Sequence, residues 1–154
     1  MQTFKQKVIL FLATGGLIGF SPVAPGTFGS LAALPLCLLI SLMRVDDALI
    51  FIMILVTLST WIAHVAEKIE AQKDPKQVVV DEICGMAVAL FALPFTPLFI
   101  IGGFALFRVF DIFKPFPIRW VDKKVPGGLG IMLDDLMAGI FANVLMRVVI
   151  FLFK

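Results

Sequence analysis

The sequence predicts an all-α fold, a polytopic membrane helical bundle of about five short helices with its polar loops gathered on one face. Three observations carry that prediction. Of the 154 residues, 60% are hydrophobic and 16% are charged, against roughly half and a quarter in soluble domains. A chain of this length makes a single domain, residues 1–154, and a domain so small keeps much of its surface exposed, so its apolar excess has to meet lipid. The apolar residues also come in long blocks, with the charged ones collected between them. A net charge of +2 gives no reason to expect a nucleic-acid partner.

The blocks run over residues 8–20, 28–43, 48–66, 83–107 and 133–153. A spanning helix needs about 20 apolar residues, which the 48–66 and 133–153 blocks supply. The first block follows Lys5 and Lys7 in the manner of a signal peptide, but Pro22 and Pro25 crowd any small-residue cleavage site, so the segment reads as retained. It is too short to span and is expected in the interface or against other helices. Block 28–43 spans only where the bilayer thins or flanking residues help. Block 83–107 is interrupted by Leu93-Pro94-Phe95-Thr96-Pro97. Two prolines three apart remove backbone donors and disfavour helix before each of them. The block is therefore expected to fold as a hairpin of two helices, roughly 78–93 and 98–113, each about 24 Å long.

Charge bias supports the hairpin. It collects Lys5, Lys7, Lys68, Lys73, Lys76, Arg108, Lys114, Arg119, Lys123 and Lys124 on one face. Arg44 and Lys154 fall on the other, and Arg147 lies in the last span. That division obeys the positive-inside rule. A single pass through 83–107 would set Lys68, Lys73 and Lys76 against the five cations from Arg108 to Lys124.

The carboxylates are as ordered as the cations. Asp81 and Glu82 open one apolar run, Asp111 closes the next, and Asp134 and Asp135 open the last span. A helix dipole accounts for Asp81 or Asp134 taken singly. Five carboxylates brought by three helix ends to one face at membrane depth would repel one another. A divalent cation resolves the conflict, and carboxylate oxygens suit Mg²⁺. Arg108, Asp111 and Lys114 are spaced by three and share a helix face. They form either a local ion-pair chain or a grip in which Asp111 holds metal and the cations hold phosphate. Lys123 and Lys124 read as solvated or at the headgroup surface.

Two glycine-rich stretches, Pro25-Gly26-Thr27-Phe28-Gly29-Ser30 and Pro126-Gly127-Gly128-Leu129-Gly130, read as loops preceding helices, where backbone N–H groups can approach an anion. His64 and Glu67 are three apart on one helix face; a helix-end polar pair is favoured over a metal site. Cys37 and Cys84 read as small buried apolar groups. Neither has an Arg six residues on, since positions 43 and 90 are Met and Leu, which excludes a cysteine phosphatase. With no Asp-x-Asp pair and one histidine, metal-assisted attack by water is the simplest mechanism.

These motifs carry a resemblance. Gly19 to Ser30, Val80-Asp81-Glu82-Ile83-Cys84-Gly85-Met86, Phe107 to Trp120, and Gly127 to Asp135 are together similar to the bacterial phosphatidylglycerophosphatase A family, over about Gly19 to Ala142. The resemblance implies Mg²⁺-dependent hydrolysis of the terminal phosphate of phosphatidylglycerophosphate to give phosphatidylglycerol, on a phospholipid substrate that stays within the bilayer. It implies a multi-pass protein of the bacterial inner membrane with its active site on the cytoplasmic side. Read onto the family, Asp81, Glu82, Asp111, Asp134 and Asp135 are expected to hold Mg²⁺. Asp111, Asp134, Asp135, Arg108 and Lys114 are expected to be catalytic, one carboxylate serving as base or an aspartate as a phosphorylated intermediate. Gly26, Thr27, Gly29, Ser30, Gly127, Gly128, Gly130 and Arg119 are expected to bind substrate.

Two other readings use the same residues. A small ion or proton transporter predicts acids in mid-span and an inverted repeat, whereas these acids sit at helix ends and no repeat is present. A Mg²⁺-dependent phosphatidyl-transferring synthase predicts an Asp-Gly start to its aspartate signature, and the chain contains no Asp-Gly.

Overall fold

The computed structural model describes residues 2–152. The expectations for Lys154 and for the last residue of the final span, Phe153, lie outside the described residues. Among the described residues every regular element is a helix: α1 (Phe4–Ala13), a 3-10 turn (Ile18–Phe20), α2 (Pro25–Ala32), α3 (Leu34–Ser41), α4 (Val45–Glu70), α5 (Val80–Ala89), α6 (Pro97–Phe113), α7 (Ile118–Lys124) and α8 (Gly127–Leu152). Ala33 keeps helical dihedrals between α2 and α3, so these two run on as one apolar helix, Pro25–Ser41.

Five helical segments answer to the predicted blocks. They are α2–α3, α4, α5, α6 and α8, with α1 and α7 as short additions. The first block is helical from Phe4, earlier than its apolar run suggests, because Thr3 and Gln6 form a capping box that satisfies orphan N–H groups at the helix start. This helix packs on α4, as expected for a segment too short to span. The hairpin is present: α5 ends at Ala89, the chain turns, and α6 begins on Pro97, where a proline costs no hydrogen bond. The first arm is shorter than predicted. Ten residues make α5 about 15 Å long, half the thickness of a bilayer core.

The core lies where α5, α6 and α8 meet. Met86, Ala87, Phe107, Ala138 and Ala142 are buried together, and Phe110 meets Phe141 edge-on with centroids 5.7 Å apart. Small residues bring α5 and α8 close. A Cβ on Gly139 would strike the carbonyl of Gly85, and one on Gly85 would lie 2.8 Å from the carbonyl of Asp135. Such contacts are the usual way helices associate in lipid, where backbones must approach to gain packing. Cys37 and Cys84 are buried, as the sequence predicts.

The outside of the bundle is as apolar as its inside. On α4, Leu49, Ile50, Met53, Ile54, Leu58 and Trp61 are exposed; on α8, Ile140, Val144, Leu145, Val148 and Val149 are. A continuous apolar exterior of this kind faces lipid rather than water. Two helices, α4 and α8, are each 26 residues long and apolar enough to cross a membrane. The protein is a membrane helical bundle.

Candidate active site

One polar cavity of about 260 Å³ opens at the end of the bundle where α2 starts, α5 starts, α6 ends and α8 starts. Gly26, Asp74, Lys76, Asp81, Glu82, Arg108, Asp111, Lys114, Asp134 and Asp135 line it, with Ala24, Pro25 and Val78. Each acidic wall follows from local structure. Asp81 and Glu82 occupy the first turn of α5, where the dipole favours anions. The Val79 N–H donates to Ala13 O at 2.9 Å and ties that turn to the end of α1. The glycine contact between α5 and α8 sets the facing wall: Gly85 lies one turn after Asp81, and Gly139 one turn after Asp135. Close approach at the glycines therefore brings Asp135 beside Asp81 and Glu82.

Three carboxylate oxygens, one each from Asp81, Glu82 and Asp135, lie within 4.8 Å of one another. Ligands on an octahedral cation at about 2.1 Å stand about 3 Å apart when adjacent and about 4.2 Å apart when opposite. The donor set is hard oxygen only, which fits Mg²⁺. The test that decides the fit is partnership. Asp81 Oδ1, Glu82 Oε2 and Asp134 Oδ1 are buried with no hydrogen-bond donor, and buried carboxylate oxygens without donors carry a large desolvation cost. A cation on these atoms removes it.

The cations divide the other two carboxylates between them. Arg108 Nη1 lies 2.6 Å from Asp111 Oδ2, both largely buried. Nη1 is taken by this ion pair, and Nε is buried without a hydrogen bond. Lys114 reaches across to Asp134 on α8 and to Asp122 on α7, the latter at 3.1 Å. It does not pair with Asp111, its neighbour by spacing, because Lys114 caps α6 in the left-handed conformation (φ 43°) and so leaves the helix face that Arg108 and Asp111 share. Burial disfavours the ammonium, but Asp134 and then Asp122 outweigh burial and raise its pKa above the ordinary lysine value.

The five expected metal ligands therefore separate into three carboxylates clustered by themselves and two engaged by cations. The glycine-rich stretches are also corrected. Neither is a loop: Pro25–Ser30 is the start of α2, and Gly127–Gly130 is the first turn of α8. Asp134 and Asp135 consequently sit about two turns inside α8 rather than at its opening. Of the eight residues expected to bind substrate, only Gly26 lines the cavity. A Cβ there would collide with the Glu82 carboxylate and lie 3.2 Å from Arg108 Nη1. Thr27 lies on the same helix outside the cavity lining. Gly29 packs on Val79, Gly128 on the α4 backbone at Thr60 and His64, and Gly130 on the Val125 carbonyl. Ser30 Oγ is buried and donates to Gly26 O at 2.8 Å. Arg119 is exposed on α7. Gly127 and Gly130 border a narrow side cleft with Glu67, Asp74 and Asp122, and His64 points at Gly127, away from the carboxylate cluster.

Asp74 and Asp122 were not foreseen. Asp74 follows a helix end in a left-handed turn (φ 50°), and Asp122 sits on a seven-residue helix. No period or spacing connects either one to the site.

A sequence profile of the family described as phosphatidylglycerophosphatase A matches residues 11–150. The chain belongs to the phosphatidylglycerophosphatase A family. Among relatives, a protein of Escherichia coli (strain K12) named phosphatidylglycerophosphatase A is 39% identical over 132 residues, covering 85% of this chain and 77% of its own. A protein of the same name from Haemophilus influenzae is 41% identical over 136 residues, covering 87% and 83%. A Bacteroides thetaiotaomicron protein, named provisionally as a phosphatidylinositol-3-phosphatase, is 36% identical over 147 residues, covering 90% and 91%. No solved structure matches. Membership of the phosphatidylglycerophosphatase A family makes this chain a phosphoric monoester hydrolase.

Proposed function

We propose that the protein removes the terminal phosphate of phosphatidylglycerophosphate, giving phosphatidylglycerol and inorganic phosphate, with Mg²⁺ as cofactor. The observation that carries the reading is the set of unpartnered buried polar atoms. Acidic oxygens of Asp81, Glu82 and Asp134 and the Nε of Arg108 all lack hydrogen bonds around one cavity at one end of a membrane bundle. Such groups await a cation and an anion together, and a phosphomonoester with Mg²⁺ supplies both.

Asp81, Glu82 and Asp135 would hold Mg²⁺, with Asp134 beside them. When bound, the ion supplies charge neutralisation on the phosphoryl oxygens and lowers the pKa of water. Arg108 would face the phosphate with its guanidinium as a charge-assisted donor, Nε being free to donate and Asp111 holding the group through Nη1. Lys114 has two of its three N–H groups engaged and one left for a phosphoryl oxygen. Asp134 Oδ1 would accept the proton lost by the attacking water and return it to the departing glycerol oxygen. Gly26 keeps the wall beside Glu82 and Arg108 free of side chain.

The bundle fits a lipid substrate. The apolar exterior lets acyl chains remain in the bilayer while the headgroup enters from the polar end. The cation bias supports a multi-pass arrangement with that end on the cytoplasmic side of a bacterial inner membrane. The test is phosphate release from phosphatidylglycerophosphate by purified protein in detergent, with Mg²⁺ or with EDTA. Phosphatidylinositol 3-phosphate is the second substrate, given the name of the Bacteroides relative. Release with Mg²⁺, its loss in EDTA and preference for phosphatidylglycerophosphate are expected. No release from folded protein under any of these conditions would overturn the reading.

A further inference from the structure

The Lys114 ammonium is held from two sides by carboxylates of different standing. Asp134 lines the cavity; Asp122 does not, and its side chain is about one third exposed. Asp122 belongs to α7, which the fully buried Ile118 anchors and which packs against α8. A lysine on a flexible four-carbon stem, with Asp134 as its only partner, would leave two N–H groups free to rotate about that contact. A second acceptor outside the cavity takes another N–H and so fixes the direction of the third.

We infer that Asp122 is a positioning residue of this site, acting through Lys114: as second acceptor of the ammonium that Asp134 already holds, it fixes the rotation of the NH3 group so that the remaining N–H stays aimed at the phosphoryl group. The inference rests on the phosphatase reading above and gives α7 a task within it. That short helix ties the site to the membrane surface, since Phe116 and Trp120 on either side of Ile118 are exposed, as aromatic anchors at an interface are.

The test is a double-mutant cycle on Asp122→Ala and Lys114→Met, with Asp122→Asn and Asp122→Glu alongside, using steady-state phosphate release from phosphatidylglycerophosphate in detergent. Asp122→Ala is expected to lower kcat about tenfold, within the coupling range of residues in contact, with a smaller change in KM. In the Lys114→Met background it is expected to cost nothing further. Asp122→Glu should recover most of kcat, and Asp122→Asn, which keeps the shape, should fall between. The rise in unfolding temperature on adding Mg²⁺ should match wild type in every Asp122 variant. Wild-type kcat in Asp122→Ala, or an equal loss with and without Lys114, would overturn the inference while leaving the phosphatase reading in place. A wild-type protein that releases no phosphate would remove the reading, and the inference with it.

Discussion

The helix α8 carries two polar clusters, and they are built in opposite ways. Near its start, Asp134 and Asp135 face a cavity in which five buried side-chain atoms have no hydrogen-bond partner. Nearer its end, Asn143 and Arg147 meet the turn after α5. Asn143 Nδ2 donates to the carbonyls of Val88, Ala89 and Phe91 at 3.2, 3.1 and 2.9 Å. Arg147 Nε donates to Asn143 Oδ1 at 2.8 Å, and its Nη2 reaches Phe91 O and Ala92 O. The Ala89 carbonyl is one that the end of α5 leaves without a backbone donor, and those of Phe91 and Ala92 belong to the turn that follows. Arg147, by spacing a stray charge in a span, has an identifiable structural task. A polar group in a membrane bundle is thus either answered, and holds the fold, or unanswered, and marks where chemistry happens.

The sharpest way to break that comparison is to neutralise one member of each cluster. Asp135→Asn is expected to lower kcat by at least about a hundredfold, as loss of a metal ligand should exceed the 10–100-fold cost of losing a ligand's support. In EDTA the variant should unfold at or above the wild-type temperature, because a buried carboxylate in a repelling cluster is gone. Addition of Mg²⁺ should raise the unfolding temperature of wild type by mass action and leave Asp135→Asn nearly unchanged. Unfolding is followed by Trp61 and Trp120 fluorescence in detergent. Full activity in Asp135→Asn would remove it from the metal set. Gly85→Ala probes what brings the acids together. Its Cβ would lie 2.6 Å from the Phe107 ring on α6 and 2.8 Å from the Asp135 carbonyl on α8, so α5 must move away from both, at about 1–3 kcal/mol together with a fall in kcat. A loss of stability at unchanged kcat would mean that the glycine contact is not what sets the carboxylates.

How much of this the sequence discloses follows the same division. The five main helical segments are legible because apolar block length and two prolines report on local backbone and solvent. The acids of the site are legible as a group because each opens or closes an apolar run. What each acid does is not, because it depends on partners far along the chain: Lys114 finds Asp134 twenty residues on, and Asp122 arrives on a separate helix. The shortness of α5 is hidden for the same reason. Its end is fixed by Asn143, more than fifty residues away. The glycines mislead because close helix packing and anion-binding turns ask for the same residue. Only contact with Val79, with α4 and with Gly85 separates the two uses.

At the answered end the expected effects are smaller and fall on stability alone. Asn143→Ala leaves the buried Ala89 carbonyl without a donor, and should destabilise by about 1–2 kcal/mol, toward the upper end of hydrogen-bond values measured in membranes. Phosphate release at a temperature where the variant is folded should equal wild type. A fall in kcat there would show that the turn after α5 communicates with the cavity along that ten-residue helix.

Arg147→Lys sharpens the comparison further with the smallest effect. Arginine spans Asn143 and two carbonyls because its donors sit on separate nitrogens of a rigid plane. Lysine offers three donors on one atom and a shorter reach, so it can keep a carbonyl contact but not hold Asn143 as well. Arg147 is exposed and its lost contacts can be replaced by water or headgroups, so a cost of only about 0.5 kcal/mol is expected, with kcat unchanged. The double variant Asn143→Ala with Arg147→Lys should cost less than the sum of the two, because one contact is removed by both. Strict additivity would mean that the two side chains brace the turn independently rather than as one network.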